Sequence, residues 1–170
     1  MKKYINFKKV MIFIVAMIIL VLGTGCGTMP ENMAEVNATK FLEYRYEGNA
    51  QKYVDLMLDE LVAEYMLARK CETEDVLVYA VSKDLESSIE DYQEEYGKKW
   101  KYEISIIDSY EITAPERFSE YECMEVLLNV QFEGRKFLIF KVDGSEEIKI
   151  QMIQKNGVWY VLGTSFVIIE

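Results

Sequence analysis

The chain has 170 residues, 29 of them acidic and 19 basic, for a formal net charge of −10. It contains no histidine, which removes the commonest general base, the Ser-His and Cys-His nucleophile pairs and nearly every zinc arrangement. No GxGxxG, Walker or CxxC pattern is present either, so the sequence assigns no catalytic residue, no metal ligand and no cofactor.

Residues 1–25 read as a targeting segment. Lys2, Lys3, Lys8 and Lys9 precede an unbroken apolar run from Val10 to Leu22, shorter than the roughly 20 residues that a membrane-spanning helix needs. Gly23-Thr24-Gly25 and Cys26 follow. This ending resembles the lipobox of bacterial lipoproteins, with Leu22 one place further from the cysteine than the usual Leu or Val. The resemblance implies cleavage before Cys26, diacylglycerol on its sulfur and an extracytoplasmic protein held to the cell membrane by lipid. Several acyl chains on one residue suffice for stable anchoring, each buried methylene contributing about 0.8 kcal/mol.

Residues 26–32 then form a short lipidated tether and 33–170 a single α+β domain. Setting aside the four N-terminal lysines leaves 15 basic against 29 acidic residues, a net charge of −14. Such a surface is expected to repel nucleic acid and anionic headgroups and to favour a cationic partner. With Cys26 lipidated, Cys71 and Cys123 are the remaining cysteines. One disulfide between them is permitted by export, and two buried free thiols are the alternative.

Apolar residues recur at helical spacing in Ala34, Ala38, Phe41 and Leu42, and Gly48 ends the pattern. Asn49 is placed to cap a second helix, with Tyr53, Val54, Met57, Leu58, Leu61 and Tyr65 on one face as far as Lys70. Thr73 caps a third helix, with Glu74 and Asp75 in its first turn. Its expected inner face is Val78, Val81, Leu85, Ile89, Tyr92 and Tyr96, and Gly97 ends it. Asp84, Glu86, Glu90, Asp91, Glu94 and Glu95 make this helix acidic without the spacing of a calcium loop, so they read as a solvated face.

At Trp100 the period changes from 3.6 to 2. Strands are expected over 100–112, 121–133, 136–142, 147–155 and 158–168. Their turns fall at Glu133-Gly134, Asp143-Gly144 and Asn156-Gly157. The fold expected is therefore α+β, with N-terminal helices packed on a curved antiparallel sheet of four to five strands.

Helices followed by a meander closing in Lys155-Asn156-Gly157-Val158-Trp159-Tyr160-Val161 are similar to the nuclear-transport-factor-2-like, or cystatin-like, fold. The resemblance implies a sheet curled into a cone around the helices, in a family of bacterial lipoproteins of unknown function. Its enzymes use histidine with aspartate in the cone, and no such residue can be transferred to this chain. A lipid-anchored envelope module binding a small apolar ligand or a protein is the leading expectation. The alternatives are a histidine-free isomerase or hydratase using a buried carboxylate beside a tyrosine, and an immunity-type lipoprotein capping a cationic partner.

Overall fold

The computed structural model describes residues 32–136 and 140–167, the last three of these by backbone alone. Helices α1 (Met33–Glu47), α2 (Ala50–Asp55), α3 (Asp59–Arg69) and α4 (Glu74–Tyr96) precede strands β1 (Lys101–Ile112), β2 (Cys123–Lys136), β3 (Phe140–Lys155) and β4 (Val158–Val167). The strands form one antiparallel sheet in the order β1-β2-β3-β4. This is the α+β arrangement expected, with the helices N-terminal to the sheet.

Local chemistry sets the helix ends. Gly48, at φ +72°, closes α1, and the N–H groups of Gly48 and Asn49 return to the carbonyls of Arg45 and Tyr44 at 3.3 and 2.8 Å. The Asn49 side chain accepts from the Lys52 N–H at 3.3 Å, and the Thr73 hydroxyl accepts from the Val76 N–H at 3.4 Å. Both expected caps are present.

The expected second helix is instead two, because Leu56–Leu58 leaves the helix to lie along β4. Val161 N–H donates to the Leu56 carbonyl at 2.8 Å, and Leu58 N–H donates to the Val161 carbonyl at 3.0 Å. Met57 thus makes a parallel bridge with Val161, capping part of an edge strand whose backbone groups would otherwise seek a partner.

Two of the three expected turns are also absent. β2 continues past Gly134 to Lys136, and β3 runs unbroken through Gly144, so one long strand replaces the segments 136–142 and 147–155. Phe132 pairs with Gly144 and Gly134 with Val142. These glycines serve a close approach instead. A Cβ on Gly134 would stand 1.8 Å from the Tyr96 carbonyl oxygen, and one on Gly144 would stand 2.2 Å from the Tyr96 hydroxyl. The third turn is as expected: Asn156 and Gly157, at φ +56° and +78°, connect β3 to β4.

The core lies between the helices and one face of the sheet, around Phe41, Leu42, Phe132, Leu128, Ile148 and Ile150, all at most 1% exposed. Full burial of each such side chain contributes about 1.5–3 kcal/mol. Asn37 is the buried polar residue among them, and its amide donates to the Trp159 carbonyl at 2.8 Å, fastening α1 to β4. A bulge between Gln151 and Met152 in the β3–β4 register shifts the alternation in β4. Val161 and its neighbour Leu162 are therefore both buried, Val161 in the main core and Leu162 in a second cluster with Leu58, Phe118, Cys123 and Ile153. On α4 the buried residues are Leu77, Leu85 and Tyr96. Val78, Val81, Ile89 and Tyr92 are only partly covered, and α4 packs on α2, α3 and the sheet.

Candidate functional site

The face of the sheet that the helices cover carries a cluster of interlocking rings. Tyr46 lies edge-on to Phe132 at 5.6 Å between ring centres and tilted against Tyr102 at 5.0 Å. Tyr92 stacks on Phe132 at 4.9 Å and on Trp100 at 5.2 Å, and Tyr96 stacks on Phe132 at 5.2 Å. Such pairs add about 0.5–1.5 kcal/mol each beyond the area they bury.

One carboxylate meets this cluster. The Tyr92 hydroxyl donates to both oxygens of Glu146 at 3.2 Å, the pairing of carboxylate and tyrosine that a histidine-free enzyme would need. Burial, with the Glu146 charge beside it, pushes the Tyr92 hydroxyl up to about 12, so it stays protonated at neutral pH and acts as a donor to Glu146. Burial, chiefly, likewise raises Tyr46, with the Tyr92 hydroxyl and the Glu146 charge adding to it. The arrangement orders the core, and the rings of Tyr96, Trp100 and Phe132 occupy the space around Tyr92.

A pocket of about 400 Å³ is lined by Tyr46, Trp100, Lys101 and Tyr102, and a larger groove lies at the end of the sheet where α4 stops. Gly97 and Gly134 let the helix end and β2 touch, and a Cβ on Gly97 would stand 2.2 Å from the Arg135 carbonyl oxygen. Around this junction runs a groove of about 1010 Å³, lined among others by Lys98, Lys99, Lys101, Arg135, Lys136 and Lys141. Lys98 and Lys99 follow the C-terminus of α4, whose dipole favours cations. The other four are delivered by three adjacent strands, where Lys101 faces Glu133 and Arg135 faces Lys141 in the register.

Six of the fifteen basic residues from Cys26 onward thus gather on one groove, against Glu94 and Glu133 as its carboxylates. Lys141 is engaged, with its ammonium 3.1 Å from Asp143 and 3.7 Å from Glu133. These carboxylates, Asp143 first, hold the Lys141 charge more firmly than usual. Among the described residues, no carboxylate forms an ion pair with Lys98, Lys99, Lys101, Arg135 or Lys136. In a chain with an excess of acids, unpaired cations at one end mark a region of opposite potential.

The residues singled out in the sequence are dispersed. Cys26 lies outside the described residues. Cys71, half-buried after α3, and Cys123, buried at the start of β2, are both free thiols, and burial pushes Cys123 up. On the acidic helix Asp84 pairs with Arg69 at 2.6 Å and Glu86 with Lys83 at 2.6 Å, as a solvated face does. Among the described residues no cluster of acids and cysteines could hold a metal ion, and no helix is long and apolar enough to cross a membrane. The cationic groove escaped sequence reasoning because its residues come from the segments 98–101, 135–136 and 141, and net charge conceals where charges lie. The chain matches no protein-family model. No curated protein matches it significantly.

Proposed function

We propose that this chain is a lipid-anchored, extracytoplasmic binding module of nuclear-transport-factor-2-like type, working through its surface rather than through an internal pocket. On this reading lipid on Cys26 holds the domain at the membrane, and the groove around Lys98, Lys99, Lys101, Arg135, Lys136 and Lys141 receives an anionic partner. The observation that carries it is that five cations of one groove, Lys98, Lys99, Lys101, Arg135 and Lys136, have no ion-pair partner among the described residues of a chain with an excess of acids. The rings of Tyr96, Trp100 and Phe132 packed around Tyr92 support the same choice, since a small-molecule site is ordinarily a concave, largely preformed cavity. The acidic remainder would repel anions elsewhere and direct them to the groove.

Titration of the full chain, in nonionic detergent, with inorganic polyphosphate tests the reading. Saturable binding is expected, weakened at least tenfold by the triple change Lys98→Glu, Lys99→Glu and Arg135→Glu, at about 1 kcal/mol or more for each charge reversed. Equal binding by both proteins, or none by either, would remove the groove from the account.

A further inference from the structure

We infer that the anionic partner of this groove is a membrane surface carrying acidic headgroups, with Phe140 entering the interface beside the cations. The inference rests on the reading that the groove binds anions, and goes beyond it in naming the partner.

The added observation is Phe140. It is the first residue of β3, it pairs with Lys136 across the sheet, it precedes Lys141, and it is 62% exposed. A free anion in water needs the cations alone, and a phenyl ring displayed among them gains nothing from it. A bilayer surface offers both halves of the match. Acidic headgroups attract the lysines and arginine, and the boundary of the acyl chains accepts the ring.

The position of the groove within the domain adds to this. α1 starts at Met33, where Glu35 accepts a hydrogen bond from the hydroxyl of Ser109, late in β1. It ends with Tyr46 against Tyr102, early in β1 and next to Lys101. Fifteen residues of helix span about 22 Å. The end that receives the chain from Asn32 and the cationic end are therefore separate, and the groove would supply a second attachment in addition to any lipid. A lipid chain together with a polybasic patch is one of the pairings that give stable membrane association. Acidic side chains more than about 10 Å from the contact oppose it weakly at 0.1 M salt.

The test uses the full chain carrying Phe140→Trp, reconstituted into vesicles of brominated phosphatidylcholine with or without phosphatidylglycerol, with the parent protein as background. Bromine quenches indole only at the acyl boundary. The emission contributed by the new tryptophan should be quenched in the anionic vesicles and not in the zwitterionic ones. Adding Arg135→Glu and Lys136→Glu should restore it, as each lost cation weakens association about fivefold. Emission unquenched in both vesicle types would overturn the inference, and so would equal quenching in both. If polyphosphate still binds while the tryptophan stays unquenched, the membrane inference fails and the anion-binding reading survives. If polyphosphate also fails to bind, both fall.

Discussion

Replacing Gly134 by alanine should destabilise the fold more than its position in a strand suggests. The added Cβ would stand 1.8 Å from the Tyr96 carbonyl oxygen and 2.6 Å from the carbonyl carbon. Both are backbone atoms at the end of α4, so relief requires the helix end to move off β2. Overpacking of this kind costs about 1–3 kcal/mol, and a clash with backbone belongs at the upper end. At roughly 4 °C per kcal/mol for a domain of this size, the midpoint of thermal unfolding should fall by about 4–12 °C. Gly163→Ala is the control: it too lies in a strand, the nearest atom to its added Cβ is Gln151 Oε1 at 3.8 Å, and it should change stability by less than about 0.5 kcal/mol. Gly144 separates side chain from backbone. Its added Cβ would meet the Tyr96 hydroxyl at 2.2 Å and two ring carbons at 2.9 Å, so Tyr96→Phe should relieve part of the cost of Gly144→Ala. The same change should do nothing for Gly134→Ala. A double-mutant cycle followed by circular dichroism should give a coupling of about 0.5–3 kcal/mol for the first pair and none for the second. If Gly134→Ala melts with Gly163→Ala, the reasoning about close approach is wrong.

Asn37→Ala should lose about 1–3 kcal/mol in urea unfolding, because it leaves the Trp159 carbonyl without the amide that it faces in the core; a loss below about 0.5 kcal/mol would mean that the bond does not fasten α1 to β4. Glu125 is held below the usual carboxylate range, first by the Tyr110 hydroxyl that donates to it and then by Lys149 at 3.1 Å. A folded pKa below the unfolded one means that this stabilisation is present above the ordinary carboxylate pKa and is lost as pH falls through the folded value. The stability difference between the parent and Glu125→Gln should accordingly narrow below about pH 4, whereas a gap constant with pH would contradict the shift. After a high-salt wash that weakens the groove's hold on acidic headgroups, Cys26→Ser should be lost from the membrane fraction while the parent stays, and equal retention of both after that wash would refute the lipid anchor.

What could be read from the sequence was local. The Asn49 and Thr73 caps, the change of period at Trp100 and the Asn156-Gly157 turn each follow from a few consecutive residues, and each is found. Gly134 and Gly144 misled because a glycine after an acid is locally a turn signal. Their actual reason, the approach of Tyr96, comes from 38 and 48 residues away. The run Leu56-Met57-Leu58 fits a helix by spacing, and only Val161, more than 100 residues on, shows why it lies along a strand instead. The cationic groove was hidden for the same reason. A net charge sums over the chain, whereas its lysines and arginine meet only once β1, β2, β3 and the end of α4 are side by side.

The central claim, that unpaired cations at one end of an acidic domain form its working surface, is tested most directly by the salt dependence of polyphosphate binding. With Lys98, Lys99, Lys101, Arg135 and Lys136 meeting phosphates, the logarithm of the affinity should fall linearly with the logarithm of salt between about 50 and 200 mM, steeply for several released counterions. An affinity that stays level across that range would contradict it.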